Sequence, residues 1–236
     1  MSEYIDLSQE IYHKNPVHSL HQTTAIWTHH SYEEGERILR DALDGEDPPF
    51  VYSTKSILMN DHGPTHVDAL AHFGPNGDTI DEMPLDTFHG NGKAINITQY
   101  DGATDEKIDT DDVKEALDEA GIGLEDGDVL LVNTGHYEEN YPSQAYVDDY
   151  VGFTAEATEW IIDQGVKNIG VDAPGPDNSN DMRFPMHQVC RDREVPHMEN
   201  LCNIEKVVGE EFTFSGFPLK LQEGTAGPMR AVAIVE

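Results

Sequence analysis

The sequence predicts an α/β fold, because its middle alternates a buried strand, a capped helix and a second strand. Residues 129–133, Val-Leu-Leu-Val-Asn, are a nearly continuous apolar run, the pattern of a strand covered on both faces. Thr154 can cap a helix that carries Ala157, Trp160 and Ile161, and residues 167–171 read as the following strand.

The other elements follow in chain order. Residues 4–7 read as a short strand, and residues 12–32 form a polar, histidine-rich stretch with little periodicity, a candidate substrate loop. Residues 50–59 alternate enough for a strand, which delivers the chain to Asn60-Asp61-His62-Gly63-Pro64, where Gly and Pro forbid a regular continuation. Pro64 suits the first turn of a short helix, where its missing N–H costs nothing, and that helix would bring Asp68 and His72 one turn apart on one face. A strand is expected at 94–98. A helix at 109–120 repeats Val113, Ala116, Leu117 and Ala120 at helical spacing and stops at Gly121. Residues 185–193 suit a short helix, 195–198 a short strand, and 212–221 and 229–235 two closing strands; no internal repeat is visible.

The length of 236 residues, with no long polar linker, predicts a single domain over residues 1–236. Asp and Glu outnumber Lys and Arg by 46 to 14, and the formal net charge of −32 is spread along the chain, which excludes nucleic acid as a partner. Disorder is excluded by Trp27, Trp160 and the apolar runs at 129–132 and 231–235, which supply core material. The charge therefore reads as an acidic surface matched to a salty cytoplasm, such as that of a halophilic archaeon, where molar salt screens repulsion over about 3 Å. Cys190 and Cys202 are too few for a disulfide framework, the start of the chain lacks a signal-peptide pattern, and no run approaches the roughly 18 apolar residues of a membrane span. A cytoplasmic location and no membrane partner are expected.

The densest chemistry lies in His62-Gly63-Pro64-Thr65-His66-Val67-Asp68-Ala69-Leu70-Ala71-His72. Imidazole and carboxylate are ligands that borderline divalent metals accept, and a chain turning at Gly63-Pro64 can aim His62, His66 and Asp68 at one ion while positions stay open for water and substrate. Such a donor set suits Zn²⁺ first and Mn²⁺ second. His187 and Glu199 form a second, weaker pair, each structural if taken alone. His13, His21, His29, His30, His89, His136 and His197 read as surface or hydrogen-bonding residues, with His18 set apart.

The pattern His62-x-x-x-His66-x-Asp68-x-x-x-His72 resembles the motif of the cyclase family that includes bacterial kynurenine formamidases and isatin hydrolases. The resemblance extends to Tyr4-Ile5-Asp6-Leu7-Ser8, to residues 127–135, to Ile169-Gly170-Val171-Asp172 and to Gly227-Pro228-Met229-Arg230-Ala231-Val232-Ala233. It implies a swivelling β/β/α fold with a β-rich core around the metal site, usually in homodimers or homotetramers. It also implies that His62, His66 and Asp68 bind one ion, that His187 and Glu199 complete a second site in two-metal members, that Asp68 and Glu199 can bridge, and that His72 is the catalytic acid/base. Pro64 stands where the family usually has Gly, Leu70 where it usually has Pro, and His18 follows Pro16-Val17 where kynurenine formamidases typically carry Trp, which makes His18 a candidate substrate contact.

The expected activity is metal-assisted hydrolysis of a C–N bond in a small aromatic formamide or cyclic amide, the ion lowering the pKa of water and His72 moving the proton. A family lyase or dehydratase acting on another small molecule is the alternative enzyme. A metal-binding module without catalysis would have no use for an unligated His72.

Overall fold

The computed structural model describes residues 2–18, 20–100 and 102–236, leaving Met1, Ser19 and Asp101 outside. The chain begins with β1 (Glu3–Asp6), β2 (Ala25–His30), α1 (Tyr32–Ala42), β3 (Thr54–Leu58), β4 (His66–Asp68) and α2 (Leu70–Phe73). Next come β5 (His89–Asn96), β6 (Lys107–Ile108), α3 (Thr110–Ala120), β7 (Val129–Asn133), α4 (His136–Asn140), α5 (Ala145–Asp148) and β8 (Gly152–Phe153). The rest is α6 (Ala155–Asp163), β9 (Asn168–Val171), α7 (Pro185–Arg193), β10 (His197–Glu199), β11 (Phe212–Ser215), β12 (Ala226–Pro228) and β13 (Val232–Val235).

The expected α/β class holds. Among the described residues nine strands form one curled sheet in the order β1-β13-β11-β5-β7-β9-β10-β4-β12. Its centre is parallel from β5 through β7 and β9 to β10, because α3, α6 and α7 are the crossovers between those strands. Both margins are antiparallel. Strand alternation sorts the side chains: Leu130 and Val132 pack with Val113, Leu117, Ile161 and Val189 of the crossover helices, whereas Val129 and Leu131 pack on the opposite face with Leu7, Phe88, Phe212 and Phe214. Each fully buried Leu or Val of this kind contributes ~1.5–3 kcal/mol.

Local signals explain the helix boundaries. Asp109 accepts from the amides of Asp111 and Asp112 and forms a capping box with Asp112, while Gly121 ends α3 in the left-handed region at φ 68°. Thr154 caps α6 through the amide of Ala157, and Pro185 occupies the first turn of α7.

Four expectations fail. Pro64 opens no helix: residues 66–68 are extended because β4 is paired on both edges, with β10 and β12, and the helix that follows is the four-residue α2. The stretch 12–32 is not all loop, since β2 pairs antiparallel with β3 in a small two-stranded sheet, with α1 in the connection between them. Trp27 is 51% exposed on that small sheet and supplies no core. The closing strands are shorter than expected, and β12 lies between them.

Candidate metal centre

The site stands on β4 and β10, antiparallel neighbours in which Glu199 faces His66 and Met198 faces Val67. Continuing that register sets His197 opposite Asp68. Because side chains alternate along a strand, Val67 and Met198 enter one core, both with no exposed surface, and His66, Asp68, His197 and Glu199 share the other face. The turn before β4 supplies His62, α2 supplies His72, and α7 supplies His187.

Asp68 is the hub. Its Oδ1 lies 2.9 Å from His62 Nδ1 and 3.2 Å from His66 Nε2. Its Oδ2 lies 3.3 Å from His197 Nε2, 3.6 Å from His72 Nε2 and 3.9 Å from His187 Nε2. Glu199 sends Oε2 to within 3.3 Å of His66 Nε2 and Oε1 to within 3.1 Å of His197 Nε2. Among the described residues two groups have ligand atoms close enough for one ion: Asp68, His187, His197 and Glu199; and His62, Asp68 and His72.

Outer contacts aim the rings. His66 Nδ1 donates to the Pro64 carbonyl at 2.9 Å. His187 Nδ1 donates to Asp177 Oδ2 at 2.5 Å, and Asp177 also accepts from the Met186 amide at 2.6 Å, capping α7 while it orients the ring. The Thr225 hydroxyl donates to Asp61 and therefore accepts from His62 Nε2 at 3.0 Å. In each of the three the outer nitrogen donates to a fixed acceptor, so the inner nitrogen is the one turned toward the carboxylates.

Those carboxylates set the charges. Burial opposes a proton on His66, but Asp68 and Glu199 beside it outweigh burial and raise its pKa to about 10. His197 is raised well above its ordinary value against the same burial, chiefly by Asp68. Burial would push Asp68 up, yet His197, His62 and His66 hold it well below the carboxylate range. Burial and Asp68 push Glu199 up, and His197 and His66 overcome both to hold it at about 2. His72 goes the other way, lowered to about 4 by desolvation against the pull of Asp68, with His62 and His187 adding to the fall.

A divalent ion fits this donor set. His66 Nε2 and Asp68 Oδ1 are buried without a hydrogen-bond partner, so their 3.2 Å approach is not a directed hydrogen bond, and a cation between them would satisfy both. Above the cluster is a cavity of about 200 Å³ lined by His18, His21, His72, Tyr150, Met182 and Phe184 among others. A larger depression of about 580 Å³, beside Leu70, Gly77 and Arg191, gathers no imidazoles among its lining residues.

All seven residues singled out for the site, His62, His66, Asp68, His72, His187, Glu199 and His18, border this one region. His18 is the most distant, reaching the cluster through His21, whose ring lies 5.4 Å from that of His18 and 5.1 Å from that of His62. Sequence reasoning missed His197 and His21, which read as surface or hydrogen-bonding residues. His197 has no exposed surface, and His21 lines the cavity. The available signal for His197 was the polar-apolar-polar triplet His197-Met198-Glu199, which repeats His66-Val67-Asp68.

The family model described as "Putative cyclase" matches residues 5–178, a span that contains His62, His66, Asp68 and His72 but ends before His187. The kynurenine formamidase of Erythrobacter litoralis is 27% identical over 176 residues, covering 75% of this chain and 74% of its own. That of Paracidovorax citrulli is 28% identical over 185 residues, covering 78% and 81%. An isatin hydrolase bound to the product analogue thioisatinate superposes with a TM-score of 0.82 at 20% identity over 99% of this chain and 92% of its own. Isatin hydrolase A from Ralstonia solanacearum gives 0.80 at 21% identity over 100% and 92%. At these identities the structural matches speak to the fold, whereas the family model spans well over half of the sequence. The chain belongs to the putative cyclase family.

Proposed function

We propose that this chain is a metal-dependent hydrolase cleaving a C–N bond in a small aromatic formamide or cyclic amide, in the manner of an arylformamidase. The observation that carries the proposal is the convergence of five imidazoles on the Asp68 carboxylate below a cavity into which His72 opens. The relatives named kynurenine formamidase and isatin hydrolase support the choice of bond.

His62, His66 and Asp68 would hold a divalent ion, Zn²⁺ first and Mn²⁺ second, with His187 and Glu199 holding a second ion if two are bound. A bound ion supplies Lewis acidity and lowers the pKa of water. His72, with a pKa of about 4 and a third of its side chain exposed, is neutral at physiological pH. Its Nε2 can take a proton from water and pass it to the departing amine, while Asp68 Oδ2 at 3.6 Å favours the charged ring in between. His18 and His21 border the cavity as substrate contacts.

The whole chain acts as one catalytic unit in this proposal, assembled as a homodimer or homotetramer in a salt-rich cytoplasm of the kind halophilic archaea maintain. The charge of −32 supports the saline setting. Elemental analysis of the purified protein, joined to assays on N-formylkynurenine, isatin and simple aryl formamides with and without chelator, tests the activity. Chelator-sensitive turnover of at least one substrate is expected. Metal-loaded protein that turns over none of them would make the chain a binding module or place it on another reaction.

A further inference from the structure

The two carboxylates at the centre are shared evenly between two imidazoles. His66 Nε2 stands 3.2 Å from Asp68 Oδ1 and 3.3 Å from Glu199 Oε2, while His197 Nε2 stands 3.3 Å from Asp68 Oδ2 and 3.1 Å from Glu199 Oε1. Each carboxylate therefore turns one oxygen to each ring. The cause is the register, because an antiparallel pair with histidine and carboxylate two residues apart on both strands sets His66 against Glu199 and His197 against Asp68.

The spacings are those of ligands around a common ion. Two donors each ~2.1 Å from an ion and roughly 90–110° apart lie ~3.0–3.4 Å from each other, and all four distances fall in that interval. A second ring accompanies each: His62 approaches Asp68 Oδ1, and His187 approaches Asp68 Oδ2 with its ring centre 4.6 Å from that of His197. Asp68, His187, His197 and Glu199 have ligand atoms within 4.8 Å of one another.

We infer that His197 would be a protein ligand of a second divalent cation, held together with His187, Asp68 and Glu199. The inference rests on the metal reading of the same centre and adds to it a ligand on the strand after α7. The competing role for His197 is to donate a hydrogen bond to Glu199, which requires a donor at this position but no lone pair.

Cobalt distinguishes the two roles without reference to hydrolysis. Chelated wild-type protein, His197→Gln and His197→Cys are titrated with Co²⁺ and followed by bound-metal analysis and visible absorption, with circular dichroism as the check on folding. Gln can donate to Glu199 but is a poor ligand, so the wild type should bind two ions and His197→Gln should bind the second at least about 100-fold more weakly, beyond the usual effect of losing an outer contact. His197→Cys should gain a thiolate-to-cobalt charge-transfer band that the wild type, with its buried Cys190 and Cys202, lacks. Full second-ion affinity and an unchanged spectrum in His197→Gln, or no charge-transfer band in folded and loaded His197→Cys, would overturn the assignment. A normal first ion in either variant would leave the hydrolase reading standing, and a wild type that takes no cobalt would remove both.

Discussion

Removing the metal should reverse how stability responds to alkaline pH. In the chelated protein His66 has a pKa of about 10 in place of 6.5, because Asp68 and Glu199 outweigh the burial that would discharge it. The folded chain then keeps a proton that the unfolded chain gives up above pH 6.5. Stability from this pairing is fully present below pH 6.5 and is lost as the pH rises toward about 10. One proton of difference is worth ~1.4 kcal/mol per pH unit, so ~3 kcal/mol disappears between pH 6.5 and about pH 9. For a chain of 236 residues that is roughly 10 °C in midpoint, and His197, raised in the same sense, steepens the decline. On the acid side the same pairing is seen from Glu199, whose pKa of about 2 in place of 4.5 gives stability that is present above pH 4.5 and lost as the pH falls through about 2.

A bound cation takes the place of the ring proton, so the loaded protein should lack the alkaline decline. Calorimetric melting of chelated and Zn²⁺-saturated protein from about pH 6 to about pH 9, in constant molar KCl to fix the screening of the acidic surface, gives the comparison. A chelated midpoint that stays level or climbs over this interval would refute the reasoning. Chelated His66→Asn should show a shallower decline than chelated wild type.

Four other outcomes follow from the same geometry. His66→Ala or Asp68→Ala should lose bound metal and turnover together, and elemental analysis that finds full metal content in either would displace the assigned centre. His72→Asn should keep the metal and lose ~10²- to 10⁴-fold in rate, the usual contribution of a general acid–base group; normal turnover would end its role as proton carrier, and a metal-free, folded variant would make it a ligand. Asp177→Asn, which leaves the cap of α7 weaker and His187 less firmly aimed, should lower metal affinity ~10- to 100-fold in competition with a chelator, and an unchanged affinity would show that the ring needs no such support. Circular dichroism against KCl concentration should show structure lost at low salt as the charge of −32 becomes unscreened, and a spectrum and midpoint indifferent to salt would dispose of the halophilic reading.

What could be read from the sequence divides along the distance over which each feature is determined. The helices α3, α6 and α7 carry their own signals, a cap residue in α3 and α6, a Gly after α3 and a Pro in the first turn of α7, and they start within a residue or so of expectation. Helix α1 carries a signal of another kind, the capping box of Ser31 and Glu34, but buries only Gly35, so apolar periodicity gives no sign of it. Trp27 misleads for the converse reason: a large apolar residue reads as core, yet a two-stranded sheet separate from the main one leaves it half exposed. His62, His66, Asp68 and His72 are legible because one turn and one short strand bring them together. His197 is not, because a three-residue strand is too short to reveal its period, and its partner Asp68 lies far away in sequence.

The physical reason for so many imidazoles at one point is the cost of the carboxylates. Asp68 and Glu199 have 1% and 7% of their side chains exposed, and an unpaired ion at such depth costs several kcal/mol. Among the described residues no Lys or Arg forms an ion pair with either of them; imidazoles are the cationic groups within 4 Å. Imidazole differs from those cations in being able to balance a carboxylate in two ways, as imidazolium or as a neutral donor to a metal ion. A centre built from it can therefore remain folded before the ion arrives and release protons when it does, and His72, the one ring of the group lowered to about 4, is left uncharged to move a proton during the reaction.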